Sequence, residues 1–578
     1  MDIKRFMNLM EYSCSEKVIK TRIIGIIDSQ NDCGVALMDK ERIVSAINEE
    51  RIVRKKLIGG FPTHSLKKIL SYNKLKEKDI EVILVSGLCT PPVFARQFRS
   101  LQKTEYDVRK KKYNKFTKVL SDFAQGKLKI QTSKPKSWFG MLEKPFLKAV
   151  IRKDLPQKLK GKEIKFYDHH LCHATGAYFT QEKDHVLAIT ADGCGDGVSF
   201  TVNICKDRKV KRIYEAKAKD SYGWFYGLIT MALGFQWHKH EGKVTGLAAR
   251  GNAKNVKLEF PFISKKGEVK YLGSHMPNDI KKMISSYSME DVAAWVQTGL
   301  EEHVTKVVQY WVKKTGVGDL VVAGGLFANV KLNQLIHELP EVNSIYVFPH
   351  MGDGGLALGA CLAHTKPKPK PLDTLYLGPT YDDKEIKTAL DKSGLKFKKT
   401  KNVEKEIAKL LAKGKVIARF NGAMEFGPRA LGNRSILYHT KDPSVNDWLN
   451  KKLKRTEFMP FAPATLWKKR HECYKNLEGA EFTACNMTIT FNCTEKMKKQ
   501  SAGVVHIDGT ARPQLVKKED NESFYNIIKE YHKITGIPSI INTSFNMHEE
   551  PIVMTPEDAI RAFKQSKLDH LAIGEYLI

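Results

Sequence analysis

The chain has 578 residues, with 96 Lys or Arg against 64 Asp or Glu and a formal net charge of +32. This length can bury the cores of two or more domains. No apolar run reaches the roughly 20 residues that a membrane span requires. The ten cysteines contain no Cys-x-x-Cys pair, which is typical of reduced core thiols. We therefore expect a soluble, cytoplasmic protein without a membrane segment.

The excess positive charge is concentrated in one segment. Residues 96–163 contain 20 Lys or Arg and 6 Asp or Glu, a net charge of +14. Aromatic residues are interleaved with these charges: Tyr106, Tyr113, Phe116, Phe123, Trp138, Phe139 and Phe146. Cations beside stacking rings are typical of a nucleic-acid surface. Two alternatives stay open: the rings can form the core of a small helical insertion, and the lysines can reflect a compositional bias.

A repeated pattern organises the first half of the chain. A buried strand is predicted at residues 22–27, followed by a polar turn at 28–32 and further strands at 33–38 and 42–46. Residues 186–204 repeat the pattern around a turn at 192–197. Such hairpins hold phosphates in the superfold of actin, sugar kinases and heat-shock ATPases. We predict an α/β protein with a duplicated actin-like (ASKHA, ribonuclease H-like) core and a ligand in the cleft between the halves.

Two histidines and two aspartates are candidate metal ligands. On a helix, His169 and His173 project from one face, whereas His170 points elsewhere. Asp192 and Asp353 each follow a predicted strand and precede glycines. Two imidazoles with carboxylates suit a divalent ion, with iron(II) our first choice and magnesium or manganese as alternatives. The other interpretation is a packed pair of histidines and two ordinary Asp-Gly turns.

Glycines and one lysine in the same region indicate a nucleotide site. Gly193 lies in the second polar turn, where backbone amides can face phosphate oxygens. Gly324 and Gly325 follow a late strand, where glycines let adenosine lie against the backbone, and Asn329 comes shortly after. Lys243 stands in a Gly-Lys pair that could meet a phosphate, although a lone Gly-Lys is a weak signal.

Residues 366–371, with proline at alternate positions, form the clearest linker. We divide the chain into residues 1–365, with the basic insertion at about 95–163, and residues 372–578. Convergent cationic and polar groups in the second part indicate a pocket for a phosphate-bearing substrate. The alternative, surface salt bridges, fits Lys451 and Lys452 better than Arg429, which lies in a Gly-Pro-Arg turn.

Several sequence blocks resemble those of one enzyme family. The most specific are EFGPRALGNRSIL at 425–437 and INTSFN at 541–546, supported by HHLCHA, GKVTGLAARG and VHIDGTARPQ. They resemble the ATP-dependent O-carbamoyltransferases that modify nodulation factors, cephalosporins and aminoglycosides. The resemblance runs from about Arg22 to Ile578, interrupted by the basic insertion. It implies an N-terminal domain similar to the tRNA threonylcarbamoyl transferase and a C-terminal domain similar to the threonylcarbamoyl-adenylate synthase.

The resemblance also implies a division of labour. The C-terminal pocket would join carbamoyl phosphate and ATP, bound with magnesium, into carbamoyl adenylate, and an acceptor hydroxyl would attack the adenylate in the N-terminal cleft. The implied metal ligands are His169, His173, Asp192 and Asp353. The implied nucleotide contacts of the cleft are Lys56, Lys243, Gly193, Gly324, Gly325 and Asn329. The implied adenylate-forming residues are Arg429, Lys454 with the adjacent Arg455, Arg512, Ser544 and Asn546.

The chain departs from the family pattern at three positions. Asn31 stands where the family usually has a histidine that deprotonates the acceptor, so Asp32 or the acceptor itself would have to supply that function. Met459 replaces an arginine, and Glu549 replaces a glycine. The departures at Asn31 and Met459 motivate an alternative, a non-catalytic nucleic-acid-binding descendant of the family. A kinase of the same superfold would leave the C-terminal domain without a task.

The basic insertion bears on the acceptor. Its charge favours a nucleic acid, for example a hydroxymethylated base in DNA, over a sugar or an antibiotic.

Overall fold

The structure is a computed structural model that describes residues 22–91, 93–97, 138–453 and 461–578. It is a mixed α/β protein with two five-stranded sheets and one eight-stranded sheet. The α/β class predicted from the sequence is confirmed. In the described part of the chain, no helix combines the length and the apolar character that a membrane crossing needs.

The first sheet has the strand order β3-β2-β1-β4-β5. Its strands are β1 (Arg22–Ile27), β2 (Gly34–Asp39), β3 (Arg42–Asn48), β4 (Ile80–Ser86) and β5 (Glu163–Tyr167). β1 pairs antiparallel with β2 and parallel with β4, so the predicted hairpin lies at the centre of the sheet. The isoleucines of β1 are buried whichever way they point, as expected for a strand with both faces covered.

The second sheet repeats this arrangement, with the order β12-β11-β6-β7-β8. Its strands are β6 (Val186–Gly195), β7 (Val198–Lys206), β8 (Lys209–Lys217), β11 (Asp319–Ala323) and β12 (Ser344–Val347), and β9 (Phe262–Ile263) and β10 (Lys270–Tyr271) form a separate hairpin. β6 pairs antiparallel with β7 and parallel with β11. The predicted turn at 192–197 is shorter than expected, because β6 continues through a bulge to Gly195 and only Asp196 and Gly197 have positive φ.

Two helices pack between these sheets. The helices of this part are α1 (Glu49–Val53), α2 (Thr63–Tyr72), α3 (Val93–Gln97), α4 (Trp138–Asp154), α5 (His169–Tyr178), α6 (Tyr222–Ala232), α7 (Glu241–Ala248), α8 (Pro277–Ile284), α9 (Met289–Thr315), α10 (Val330–His337) and α11 (Leu356–Thr365). α5 and α11 share one apolar cluster with both sheets. A Cβ on Gly359 of α11 would lie 2.1 Å from the carbonyl oxygen of Cys172 in α5, so glycine is required for this approach.

The segment 366–371 has no regular secondary structure, as predicted. Pro367 and Pro369 are buried, whereas the lysines beside them are exposed. The prolines therefore pack against the rest of the protein, and the lysines point into solvent.

The eight-stranded sheet lies beyond this segment and has the order β13-β22-β21-β14-β15-β20-β16-β19. Its strands are β13 (Lys398–Lys399), β14 (Ile417–Phe420), β15 (Arg434–His439), β16 (Ala462–Leu466), β19 (Gln514–Val516), β20 (Ser539–Ser544), β21 (His570–Ile573) and β22 (Tyr576–Leu577), with β17 (Phe491–Asn492) and β18 (Thr510–Ala511) paired apart. The helices are α12 (Asp383–Ser393), α13 (Val403–Ala412), α14 (Val445–Lys452), α15 (Arg470–Cys473), α16 (Glu481–Ala484), α17 (Glu495–Gln500), α18 (Glu522–Thr535) and α19 (Pro556–Ser566).

The C-terminal part also covers the outer edge of the second sheet. The backbone N–H of Ile345 in β12 donates to the carbonyl oxygen of Gly479 at 2.9 Å, and Thr483 bonds to β12 through its hydroxyl. An edge strand that would otherwise expose unpaired backbone groups is thereby covered.

Candidate active site

Four side chains converge at the ends of three elements. His169 and His173 extend from the first turns of α5, Asp192 from β6, and Asp353 from the turn before α11. Asp192 Oδ2 lies 3.0 Å from His169 Nε2 and 3.3 Å from His173 Nε2, and Asp353 Oδ1 lies 3.6 and 3.9 Å from the same atoms. One ligand atom of each residue lies within 4.8 Å of the others. The structure therefore brings together all four predicted metal ligands.

The spacing of these atoms fits a divalent ion. Ligands about 2.0–2.2 Å from a common ion lie roughly 3–4 Å apart at ordinary coordination angles. Burial alone would lower the pKa of His169, but Asp192 and Asp353 outweigh it and raise the pKa to about 9. Burial and the neighbouring Asp192 raise the pKa of Asp353 well above its usual range. A cation would relieve the repulsion between the carboxylates, so the chemistry of the donor set fits a metal.

Backbone contacts orient the first histidine. The carboxylate of Asp196 accepts the backbone N–H of His169 at 2.9 Å and the backbone N–H groups of Leu88, Cys89 and Thr90. Asp168 caps α5 by accepting the N–H of Leu171. His170 points away, with its ring nitrogens on Thr190 and Val198, as the helical spacing predicts. The role of Asp196 was missed from the sequence, where it looked like part of a glycine-rich turn.

The predicted nucleotide glycines lie beside the metal group. The backbone N–H groups of Gly193 and Gly325 both donate to Asp192 Oδ1, at 2.8 and 3.3 Å. Gly324 has φ +106°, and a Cβ there would lie 2.1 Å from the carbonyl oxygen of Ala191. Gly324 and Gly325 thus let the backbone after β11 approach β6 closely, on the side where Asp192 projects.

The other predicted contacts of the cleft are spread more widely. The amide groups of Asn329 and Gln297 exchange two hydrogen bonds, and Asn329 also caps α10. Gln297 is joined through Tyr226 to Thr245 of α7, the helix that carries the buried Lys243. Lys56 is half-buried in the turn after α1.

The first turn places Asp32 beside Asn48. The backbone N–H of Asn31 donates to the hydroxyl of Ser29 at 2.9 Å. Asp32 has φ +66°, and its Oδ1 accepts Nδ2 of Asn48 at 2.8 Å. Burial, together with the charge of Glu50, raises the pKa of Asp32 to about 7. A carboxyl group with this pKa is suited to act as a general base near neutral pH.

A polar chain connects this turn to the metal group. Oδ1 of Asn48 lies 3.0 Å from Nε2 of His350, so Asn48 bridges Asp32 and His350. Gly354, the neighbour of Asp353, packs against all three side chains. A Cβ on Gly354 would lie 2.3–2.4 Å from atoms of Asn48, His350 and Asp32. This chain was not predicted, because two of its bonded members, Asn48 and His350, are 302 residues apart.

Three of the predicted adenylate-forming residues, Arg429, Arg512 and Ser544, lie near the same ends of neighbouring strands of the eight-stranded sheet. Ser544 at the end of β20 pairs with Ser435 at the start of β15, and Arg512 precedes β19 at the same level of the sheet. The turn containing Arg429 is held there, because Gln514 donates to the carbonyl oxygen of Leu431 at 2.9 Å. The structure therefore places Arg429, Arg512 and Ser544 at a common edge.

The conformation of the Arg429 turn depends on a glutamate that was missed. Oε1 of Glu425 accepts the backbone N–H groups of Leu431, Asn433 and Arg434 at 2.8–3.0 Å. Glu425 is followed by Phe426 and Gly427, so the motif itself contains the group that folds it. The side chain of Arg434 is buried and bonds to backbone carbonyl oxygens, so this arginine of the motif holds the turn together.

Asn546, the last predicted residue of this pocket, closes its own loop by donating to the carbonyl oxygens of Met547 and Glu550. Lys454, Arg455 and Met459 lie outside the described residues, as does most of the basic insertion. Glu549, with φ +63°, pairs with Lys239 at 2.7 Å and with His240 at 3.1 Å. The acidic substitution at a glycine position thus joins the C-terminal loop to the segment before α7.

Helix α1 links the two sites. Arg51 Nη2 donates to the carbonyl oxygen of Gly427 at 2.7 Å. Arg54 donates to the carbonyl oxygens of Pro551 and Ile552, each at 2.7 Å. The ring of His350 also contacts that of Phe426, with centroids 4.7 Å apart. The loops of the two candidate sites are therefore in direct contact.

Comparisons with known proteins identify the family. The protein-family model described as carbamoyltransferase N-terminus matches residues 22–362. The protein-family model described as carbamoyltransferase C-terminus matches residues 408–578. An uncharacterised protein of Methanocaldococcus jannaschii is 32% identical over 96% of this chain and 99% of its own length. Nodulation protein NolNO of Sinorhizobium fredii is 28% identical over 95% of this chain and 79% of its own length. Nodulation protein NolO of Bradyrhizobium diazoefficiens is 30% identical over 71% of this chain and 78% of its own length. The chain belongs to the carbamoyltransferase family, and the protein is a carbamoyltransferase.

Proposed function

We propose that the protein is an O-carbamoyltransferase with two cooperating sites, which forms carbamoyl adenylate in one and transfers the carbamoyl group in the other. Residues 1–365 would be a duplicated actin-like transfer domain, residues 366–371 a linker, and residues 372–578 the adenylate-forming domain. The identical strand orders of the two five-stranded sheets support the duplication. The observation that carries the proposal is the contact between the edge that bears Arg429 and the cleft that bears the metal group.

The first step is activation. Carbamoyl phosphate, ATP and water would give carbamoyl adenylate, phosphate and pyrophosphate, with a carbamate oxygen attacking the α-phosphorus. The substrates are both anions, so cationic groups must offset their repulsion before they can align. Arg429 and Arg512 would do this, Ser544 would donate to phosphate, and Glu425 would hold the turn in place. Lys454 and Arg455 would extend the cationic pocket.

The second step is transfer. An acceptor hydroxyl would attack the carbonyl carbon of the adenylate, AMP would leave, and Asp32 would take the hydroxyl proton. The raised pKa of Asp32 suits this role, and Asn48 orients its carboxylate. Lys243, Lys56 and the glycine-lined turn at Gly193, Gly324 and Gly325 would bind the nucleotide.

A divalent ion, iron(II) or else magnesium or manganese, would be held by His169, His173, Asp192 and Asp353. When bound, such an ion acts as a Lewis acid that stabilises negative charge on oxygen. The protein's own contribution is to fix these ligands, since Asp196 anchors the start of α5 and Gly354 packs Asp353 against the Asp32 turn.

The acceptor that the composition favours is a nucleic acid, for example a hydroxymethylated base in DNA. The net charge of +14 in residues 96–163 supports this choice. Within the described part of that segment, Lys148 and Arg152 are exposed one turn apart on α4. Duplex binding should weaken steeply with added salt and should be lost when residues 98–137 are deleted; indifference to both changes would favour a small-molecule acceptor.

The decisive assay is pyrophosphate release. Purified full-length protein with magnesium and ATP should release pyrophosphate only when carbamoyl phosphate is added. Arg429→Met should abolish this release, whereas His173→Ala should retain it and lose transfer to the acceptor. Lys392→Met, which changes an exposed lysine of α12, is the matched control. Absence of carbamoyl phosphate-dependent release from the wild-type protein would refute the proposal.

The same assay tests the alternative of a non-catalytic nucleic-acid-binding descendant, which the departures at Asn31 and Met459 motivate. That alternative predicts salt-sensitive duplex binding with no pyrophosphate release. Carbamoyl phosphate-dependent release would exclude it.

A further inference from the structure

Two buried polar atoms at the junction of the two candidate sites have no hydrogen-bond partner among the described residues. They are Nη1 of Arg51 and Nδ1 of His350. Both residues are only 4% exposed. Buried polar groups are satisfied in the great majority of cases, so two such atoms require an explanation. Their elements already meet at the Arg429 turn, through the bond from Arg51 to Gly427 and the ring contact of His350 with Phe426.

The two atoms have opposite hydrogen-bonding character. Asn48 donates its amide N–H to Asp32, so its oxygen faces Nε2 of His350, which must be the protonated nitrogen. Burial and the charge of Arg51 lower the pKa of His350 to about 3, so the ring is neutral and Nδ1 is an acceptor. Nη1 of Arg51 can only donate.

The position of this pair connects it with both sites. His350 is three residues before Asp353 of the metal group, and Gly354 packs against its ring. A Cβ on Gly427, in the Arg429 turn, would lie 3.7 Å from Cβ of His350. The guanidinium of Arg51 is close enough to act electrostatically on His350 and on Asp32. The pair therefore lies where the elements of the two candidate sites meet.

One donor and one acceptor are the complement of a primary amide. A carbamoyl group carries a carbonyl oxygen that accepts and an NH₂ that donates. An acetyl group of nearly the same shape carries the oxygen but not the donor. A site built to bond an N–H rejects an analogue without it, because a buried acceptor is then left unsatisfied. A water molecule could bond to either atom when no ligand is bound. Selection of a carbamoyl group over an acetyl group requires that the ligand itself bonds to the acceptor.

We propose that Arg51 and His350 recognise the carbamoyl group of the activated intermediate, with Arg51 Nη1 donating to its carbonyl oxygen and His350 Nδ1 accepting from its NH₂. This inference rests on the proposed function and adds the residues that select carbamoyl over other small acyl groups. Asn48 has a positioning role, because its bond to Nε2 keeps the acceptor on Nδ1.

The test uses two stable analogues of acyl adenylates in which a sulfamoyl group replaces the phosphate, one carbamoylated and one acetylated. Both carry ¹³C at the carbonyl carbon. They are titrated into full-length protein loaded with manganese(II), and paramagnetic broadening of the ¹³C signal reports only ligand bound beside the ion. The wild-type protein should bind the acetyl analogue about 10- to 100-fold more weakly than the carbamoyl analogue.

The variants separate the two roles. His350→Leu removes the acceptor and should reduce the ratio of the two dissociation constants to about one, whereas His350→Asn, whose side-chain oxygen can replace Nδ1, should keep the preference. Arg51→Met should weaken both analogues about tenfold and keep the ratio, because both contain the carbonyl oxygen. Lys392→Met, which changes an exposed lysine of α12, is the control and should leave the ratio unchanged. A purely structural role for His350 would lower both affinities without changing their ratio.

The outcomes distinguish this inference from the proposed function. Wild-type protein that releases pyrophosphate with carbamoyl phosphate and binds both analogues beside manganese with equal affinity would overturn the recognition pair alone. An unchanged ratio of the two dissociation constants in His350→Leu would also overturn the recognition pair alone. Failure of both analogues to bind beside manganese would overturn the transfer site as well as the pair.

Discussion

A buried ion pair joins the first turn, at Asp28, to α3, the helix that precedes most of the basic insertion. Breaking this pair has a predictable effect on stability. Arg96 donates to both oxygens of Asp28, with Nε and Nη2 each at 3.0 Å, and Nη2 also donates to the carbonyl oxygen of Gly87 at 2.9 Å. Both side chains are 0% exposed. Asp28 starts the turn that contains Asp32, so the pair fixes the proposed base from one side.

The expected cost of breaking the pair follows from its burial. Arg96→Met would leave the Asp28 carboxylate in the interior without its guanidinium, and removing one member of a buried pair costs about 3–5 kcal/mol. The double variant Asp28→Asn/Arg96→Met removes the charge as well as the cation. The double variant should regain about 2 kcal/mol or more of the lost stability, because neither position then carries a charge that would need a counterion.

Hydrogen exchange followed by mass spectrometry is the appropriate assay, because a chain of this size need not unfold in one step. The opening free energy of the peptides covering β1 and the first turn should fall in the single variant and recover in the double variant. Lys148→Met supplies the control. A change of less than about 1 kcal/mol in Arg96→Met, or equal losses in the single and double variants, would refute the reasoning.

Three further predictions concern the two sites. Asp32→Asn should lower transfer of ¹⁴C-carbamoyl about 10²–10⁴-fold while pyrophosphate release persists; unchanged transfer would exclude Asp32 as the base. Glu425→Ala should raise the KM for carbamoyl phosphate at least about tenfold, since three backbone N–H groups lose their acceptor, and an unchanged KM would show that the turn folds without it. Burial would raise the pKa of Glu549, but Lys239 and His240 lower it to about 2, so its stabilising effect should be present above an unfolded pKa of about 4.3 and be lost as pH falls toward 2. The difference in unfolding free energy between wild type and Glu549→Gln should therefore shrink between pH 6 and pH 3; a constant difference would argue against the ion pair.

Local periodicity explains why the metal group could be predicted. The spacing of His169 and His173 fixes their common direction on any helix, and an aspartate at the end of a central strand points toward the edge where ligands bind. These features need only short segments of the chain. Arg429 and Ser544 were expected in one pocket for another reason, because cationic and polar residues at loop ends suit a phosphate-bearing substrate.

Other features depend on tertiary contacts that no short segment contains. The chain Asp32-Asn48-His350 joins residues that are far apart in the sequence, and the sequence around each residue does not indicate the others. The role of Asp196 could not be predicted for a different reason, because an aspartate between glycines is typical of an ordinary turn. Its four backbone bonds become visible only when β4 and α5 are placed beside β6.

Helix α1 shows how the two proposed sites can share an unstable intermediate. Acyl adenylates are lost to water unless the protein excludes it, so a path between the sites must be enclosed. α1 begins directly after Asn48, which orients the proposed base, and within the next six residues Arg51 and Arg54 bond to carbonyl oxygens of the two C-terminal loops. Displacing either loop would therefore move the helix that starts at the transfer site. Because adenylate formation and carbamoyl transfer have this helix in common, a change in one loop should affect product formed per pyrophosphate released more strongly than the rate of pyrophosphate release itself.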